Sequence, residues 1–318
     1  MRRIKAMLAA LVAAGIWSAA PVATAKEGGD QYPNGAESWL AGAVPPPGNY
    51  FVNYLGYYEG SLRDGSGNKT SFPGTGRNGS VRAAFDALRF IKVTDAKILG
   101  ANWGFHAIVP LVNQTLDLGA PNGGRSASDL GDITINPLIL SWHSPEWHWV
   151  FGFDINLPTG KYDQNDSRVS IGTNYYSYEP ALGVTYLGKS GWEASAKFMY
   201  NIKGKNTESN LIGVNGTYES GDEFHMDYMI GKRFGPWGVG AAGYYLKQTQ
   251  DDKFNGATVA AVPGLWSQGR RGEVFAIGPS VIYTNAKGMM FIGTWNHETK
   301  VENRFSGDKV WLKLVMRF

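Results

Sequence analysis

The nine C-terminal residues constrain this chain more than any other stretch. Val310, Leu312, Leu314, Met316 and Phe318 are apolar, and Trp311, Lys313, Val315 and Arg317 alternate with them. A strand sends successive side chains to opposite faces. The stretch is therefore a strand with one apolar face and one mixed face, running to the chain end. The apolar face must be covered by a core or by hydrocarbon. If the chain closes into a barrel, this strand pairs both with the strand before it and with the first strand, because closure leaves no free edge.

Composition favours β-structure. The 318 residues include 42 glycines, 11 tryptophans and 16 tyrosines, and only 18% are charged, against about 25% in an ordinary globular protein. There is no cysteine, which excludes disulfides, a thiolate nucleophile and a cysteine-type zinc site.

The N-terminus has the form of a secretory leader. Arg2, Arg3 and Lys5 precede an apolar run, Ala6 to Trp17, and Ala23-Thr24-Ala25 fits a small-x-small cleavage site. Residues 1–25 are expected to be a signal peptide. The apolar run is too short to span a bilayer, which takes about 20 residues. Three of the 30 basic residues lie in the leader, leaving 27 against 27 acidic ones. The basic character is thus no argument for nucleic-acid binding, and no nucleic-acid partner is expected. After the leader there is no apolar run of membrane-spanning helical length. If the protein crosses a membrane it does so as a closed barrel, which satisfies every backbone polar group in lipid.

Residues 26–49 are rich in glycine and proline and end Pro45-Pro46-Pro47-Gly48. Proline cannot donate a ladder hydrogen bond, so this segment is read as a periplasmic N-terminal arm preceding a barrel over 50–318. From Tyr50 onward twelve strand-like segments follow: 50–59, 81–93, 99–112, 132–142, 147–157, 175–187, 192–202, 223–234, 237–248, 273–284, 289–299 and 309–318. Ten and fourteen strands are the alternatives. The links at 94–98, 143–146, 188–191, 235–236 and 285–288 are short and rich in turn residues. Those at 60–80, 113–131, 158–174, 203–222 and 249–272 are long and polar. Short turns alternating with long loops is the layout of an outer-membrane barrel, and an even strand number puts both termini on the periplasmic side. The fold class expected is all-β: a transmembrane antiparallel β-barrel of about 12 strands, the last closing on the first.

Several strands alternate cleanly. Trp147, Trp149, Phe151, Phe153 and Ile155 oppose His148, Asp154 and Asn156, and Trp192, Ala194, Ala196, Phe198 and Tyr200 oppose Glu193, Ser195, Lys197 and Asn201. Aromatic sets this bulky on nearly every strand overfill a small interior and suit lipid and interfacial girdles. The polar face then lines a lumen. Its candidate residues are Arg82, Asp86, Asn102, His106, Asp132, Asn136, His148, Asp154, Glu179, Glu193, Lys197, His225, Asp227, Arg233, Lys313 and Arg317. Ile108, Leu138, Leu140, Met199 and Met229 share that face in the same register, which would make the lumen amphipathic. The register of 81–93 is ambiguous, because Arg89 falls opposite Arg82 and Asp86.

Enzyme chemistry finds no support. None of the five histidines has metal-ligand spacing with a second strong ligand, and no Gly-x-Ser-x-Gly elbow occurs. Asp163-Gln164-Asn165-Asp166 lacks the twelve-residue calcium-loop pattern. Gly235-Pro236-Trp237-Gly238-Val239-Gly240 opens no helix, so a phosphate-loop reading fails. No catalytic residue, cofactor or metal is expected.

Two stretches resemble a known family. Asn34-Gly35-Ala36-Glu37 with Pro45-Pro46-Pro47-Gly48-Asn49-Tyr50-Phe51 is similar to the start of outer-membrane proteins associated with the meta-pathway of phenol degradation. Leu157-Pro158-Thr159-Gly160-Lys161-Tyr162 resembles that family's internal signature, and Gly131-Asp132-Ile133-Thr134 and the terminal Arg317-Phe318 also fit. The resemblance implies an outer-membrane barrel that takes up hydrophobic or aromatic compounds, and it transfers no binding residue. Phe318 resembles the terminal aromatic that such barrels present to the barrel-assembly machinery. The expected partners are outer-membrane lipid, that machinery and a small hydrophobic or aromatic solute. The expected function is passive uptake of such a solute, with Tyr175, Tyr176 and Trp266 as candidate capture residues on the loops. A structural or surface-interaction barrel with a plugged lumen is the first alternative, and an outer-membrane hydrolase the second.

Overall fold

A computed structural model describes residues 30–71, 77–119, 123–211 and 213–318; the leader expected at 1–25 lies outside them. The strands in chain order are β1 (Gly48–Leu62), β2 (Ser80–Ile98), β3 (Ala101–Asp117), β4 (Arg125–Leu130), β5 (Thr134–His143), β6 (Trp147–Asn156), β7 (Ser177–Leu187), β8 (Trp192–Lys203), β9 (Lys205–Leu211), β10 (Val214–Glu219), β11 (Glu223–Phe234), β12 (Trp237–Gln248), β13 (Lys253–Phe254), β14 (Ala257–Thr258), β15 (Glu273–Thr284), β16 (Met290–Glu302) and β17 (Phe305–Arg317).

Twelve of these close into one antiparallel ring, in the order β1-β17-β16-β15-β12-β11-β8-β7-β6-β5-β3-β2 and back to β1. The closure expected from the sequence is present: Tyr50 pairs with Arg317, Val52 with Val315, Tyr54 with Lys313 and Tyr57 with Val310. The fold is all-β. β4 extends the ring only above β3, and β9, β10, β13 and β14 form a separate small sheet within the long loops. The sequence reading passed over these short strands, whose polar residues show no period.

One rim carries the short turns. The turn between β2 and β3 is Leu99-Gly100, both in the left-handed region (φ 51° and 78°), as a two-residue hairpin matched to strand twist requires. It is not the longer link 94–98, because β2 continues through a register break after Val93.

The Trp and Phe sets face outward. Trp147, Trp149, Leu182, Trp192, Ile230, Trp237, Phe291, Val310 and Leu312 are all exposed. Two aromatic girdles result. Near the short-turn rim, Trp147 packs on Tyr186 at 5.0 Å and Trp237 on Tyr283 at 4.7 Å. Nearer the long loops, Phe153 stacks on Tyr178 and Tyr228 on Phe275. Ring strands of 10 to 19 residues rise about 3.3 Å per residue, enough when tilted for an apolar band about 25 Å tall. The apolar set of the closing strand thus covers no core.

At the other rim the long loops pack on one another. Leu118, Tyr218, Val259, Leu265 and Trp266 form a buried cluster there. Tyr218 donates to Asp252 Oδ2 at 2.6 Å, and Gly221 N donates to Asp252 Oδ1 at 2.8 Å.

The N-terminal arm departs most from expectation. The segment expected to lie on the periplasmic side before the first strand instead runs inside the barrel. Pro45–Pro47 lie at the short-turn rim, Trp39 and Glu37 sit within the ring, and Asp30 reaches Arg304 beside the β16–β17 hairpin at the long-loop rim. Asp30, the first described residue, and Phe318 therefore lie at opposite rims.

Candidate functional site: the lumen and its arm

The inward faces of β1, β2, β7, β8, β11, β12 and β15–β17 receive the arm at successive heights. Near the long loops, His225 Nδ1 lies 2.7 Å from Asn34 Oδ1, and Lys309 donates to Asn34 O at 3.2 Å. Asp227 captures the next residues. Its Oδ1 accepts from Gly35 N (2.8 Å), and its Oδ2 from Tyr32 OH (2.7 Å) and Glu37 N (3.0 Å). Backbone N–H groups in a buried, irregular segment need partners, and a wall carboxylate supplies two here.

At mid-height the polarity reverses, with the arm supplying the carboxylate. Glu37 accepts from Lys313 at 2.7 Å, Arg89 at 3.1 Å and Tyr54 OH at 2.8 Å. Arg89 also reaches His106 Nδ1 at 2.8 Å, and His106 Nε2 lies 3.1 Å from Asp154, which accepts from Asn136 at 2.7 Å. These charges are multiply partnered, as buried charges must be.

Trp39 is the arm's anchor. It is 1% exposed and packs on Met229, Ala242, Ile282 and Ile292. Its Nε1 donates to Ser280 Oγ at 3.0 Å. The wall makes room with glycine: a Cβ on Gly231 would stand 2.4 Å from the indole, and one on Gly238 3.0 Å. Leu40 N then donates to Glu193 Oε1 (2.6 Å), whose Oε2 pairs with Arg233 (2.7 Å), and Gly42 N donates to Thr185 Oγ1 (2.8 Å).

Below this point the arm continues to the short-turn rim without filling the ring. A cavity of about 430 Å³ lies between the arm and the wall, with Lys287, Gly288 and Arg317 of the short-turn rim at its mouth. Ala43, Val44, Pro45 and Pro46 of the arm and Val52, Ile91, Ile139, Val150, Met290 and Val315 of the wall make its sides apolar. Its floor is polar: Glu37, Arg89, His106, Asp154, Lys197 and Lys313.

Most sequence-predicted lumen residues point inward, at different heights. His106, Asn136, Asp154, Lys197 and Lys313 gather at the cavity floor, with Arg317 at its mouth. Glu193 and Arg233 hold the arm beside Trp39, and Asp227 holds it higher up. Glu179, which accepts from Asn201 at 2.9 Å, and His225 belong to the filled upper half. Asp132 sits where the loops meet the arm, accepting from Gly160 N, Thr173 and Gln31. Asn102 and His148 lie at the short-turn rim, Asn102 bonded to Lys97 and Thr94, His148 to His143.

Arg82 and Asp86 face the other way. Arg82 is largely exposed and pairs with Glu59, and Asp86 accepts from the outward-facing Asn53. The inward set on β2 is Ala83, Phe85, Ala87, Arg89, Ile91 and Val93. A pair of alanines carries no polarity signal, so the alternation was read in the wrong phase. Leu140 is a second correction. A register shift on β5 between Ile135 and Ile139 places Leu140 opposite the outward Phe151 and turns Ile139 inward. Met199 and Met229 are buried inside as expected. Of the candidate capture aromatics, Tyr175 and Trp266 are buried among the loops and Tyr176 alone is exposed. Sequence reasoning missed Glu37 and Trp39 as lumen residues; the flanking Gly-Pro-rich arm gave no periodic signal.

An apolar outer belt with two aromatic girdles, a polar interior and long loops at one rim define an outer-membrane β-barrel. The family model described as "Putative MetA-pathway of phenol degradation" matches residues 60–314, and the chain belongs to that family. The COG4313 outer membrane channel from Pseudomonas putida F1 has the same fold, with a TM-score of 0.70 at 14% identity, covering 87% of this chain and 98% of that one. The β domain of the Bordetella autotransporter BrkA overlays with a TM-score of 0.50 at 10% identity, covering 86% of this chain and 100% of the other. No curated protein sequence matches this chain significantly. The short-turn rim is thus periplasmic and the long-loop rim extracellular.

Proposed function

We propose that this barrel is a channel for passive uptake of small hydrophobic or aromatic compounds, with the arm as its gate. The observation that carries the reading is the amphipathic cavity below the arm, enclosed by apolar walls and facing the periplasm. A cavity of about 430 Å³ falls within the size of small-molecule sites, and apolar sides with a few convergent polar groups are how such sites bind. The filled upper half supports the competing reading, a plugged barrel without transport. Uptake of a labelled aromatic at limiting concentration, in a deletion strain and the complemented strain, separates the two. The channel reading expects a slower initial rate in the deletion strain; equal rates for every aromatic tried would overturn it. Presentation of Phe318 to the assembly machinery is a further proposal. Truncation of that residue, which is 66% exposed, should lower the assembled amount of barrel in the membrane.

A further inference from the structure

We propose that the periplasmic cavity selects hydrophobic molecules carrying one anionic head, aromatic carboxylates in particular, with Lys197 as the head-group partner. The inference rests on the cavity being a solute site and adds its chemical class. Charge is the first argument. Arg89, Lys197, Lys287, Lys313 and Arg317 line the cavity, against only two carboxylates, Glu37 and Asp154. Both carboxylates are already engaged, Glu37 by Arg89, Lys313 and Tyr54, and Asp154 by His106 and Asn136.

Lys197 is the floor cation that no carboxylate bonds directly. Among the described residues no carboxylate lies within ion-pairing distance of it. Its ammonium rests 4.6 Å from the centroid of the Tyr32 ring, a contact that leaves its N–H donors available. Asp227 stands directly across the strand pair from Lys197, but both its oxygens accept from the arm. Glu37, Asp154, Glu179 and Asp227 act on Lys197 through space, but none bonds its ammonium, so its three N–H donors stay open to a carboxylate that reaches the floor of the chamber.

Shape and access agree. A dry cavity of about 150 Å³ holds benzene, so about 430 Å³ accommodates a substituted ring with its head at the floor. At the mouth, Arg317 Nη2 donates to Pro47 O at 3.2 Å and forms no ion pair among the described residues, as is true of Lys287. Two such cations at a narrow opening concentrate anions there.

The test uses the full barrel in lipid nanodiscs, with fluorine NMR titrations of para-fluorobenzoate, para-fluorobenzyl alcohol and para-fluorotoluene. The acid is expected to bind about tenfold more tightly than either neutral isostere, which corresponds to about 1.4 kcal/mol. That advantage should fall to near one in Lys197→Met and persist in Lys197→Arg. Neutral isosteres binding as tightly as the acid to the unmodified protein would overturn the proposal, whether or not either variant folds. So would an unchanged preference in a folded Lys197→Met. If none of the three compounds binds, the cavity reading itself fails, an outcome distinct from binding without charge preference.

Discussion

The two halves of this lumen are built from the same strands and hold opposite contents. The extracellular half is filled. Lys203 and Glu223 are paired at 2.8 Å with no exposure of either side chain, Asp30 meets Arg304, and Tyr58 and Tyr244 both donate to Glu298. The periplasmic half is a chamber whose cations outnumber its carboxylates. A buried ion pair rarely adds net stability over an apolar packing but fixes geometry, and breaking it by removing one partner is strongly destabilising. The filled half is therefore suited to holding the arm in one position, and the half with the cavity to receiving something else. Trp39 and Glu37 sit at the boundary.

The largest way to break that division is Glu37→Ala. It removes the carboxylate that bonds Arg89 and Lys313, a loss of about 3–5 kcal/mol. Amide hydrogen exchange over residues 35–42 should lose most of its protection while the barrel strands keep theirs. Trp39→Ala comes next. Truncating a buried aromatic costs about 3–5 kcal/mol, and the Gly231 and Gly238 recesses would be left as voids. The same exchange experiment should show the arm loosened from Trp39 to Gly42 first, with the Asp227 contacts surviving.

Gly238→Val sharpens the comparison from the wall side. A Cβ there meets Ile282 at 2.8 Å and the Trp39 ring at 3.0 Å, and overpacking of this kind costs about 1–3 kcal/mol. Tryptophan fluorescence should report a displaced indole without loss of the folded barrel. The smallest effect belongs to the extracellular loops. Burial alone would raise the pKa of Asp166, but hydrogen bonds from Arg168 and Arg125 outweigh it and hold the carboxyl below its usual range. A lowered folded pKa gives stability that is present above the ordinary carboxylate range and is lost as pH falls through the lowered value. Asp166→Asn should therefore destabilise the 158–174 loop by less than about 1 kcal/mol, speed its proteolysis slightly at neutral pH, and leave its low-pH behaviour unchanged.

The barrel was legible because alternation is a local signal. Trp147, Trp149 and Phe151 against His148 and Asp154 show their faces without any knowledge of neighbours, and the spacing of short and long links supplies the topology. The errors came where that signal fails. On β2 the inward alanines hid the phase, and on β5 a bulge reversed it within four residues. The arm was illegible for a different reason. Its partners Asp227, Glu193 and Lys313 lie 150 residues or more away in sequence, and a Gly-Pro segment has no period from which a docking face can be read. Trp39 and Glu37, set among glycine-rich runs, were the available hints. Their meaning depends on glycines at 231 and 238 that only the closed ring brings alongside.

The claim that the arm closes the lumen is tested most directly by single-channel conductance. The unmodified protein and a Glu37→Ala, Trp39→Ala double variant would be compared in the same planar bilayers. The account predicts small conductance for the former and a several-fold larger open level for the latter, as the arm leaves the ring. Equal conductance in the two folded proteins would contradict it.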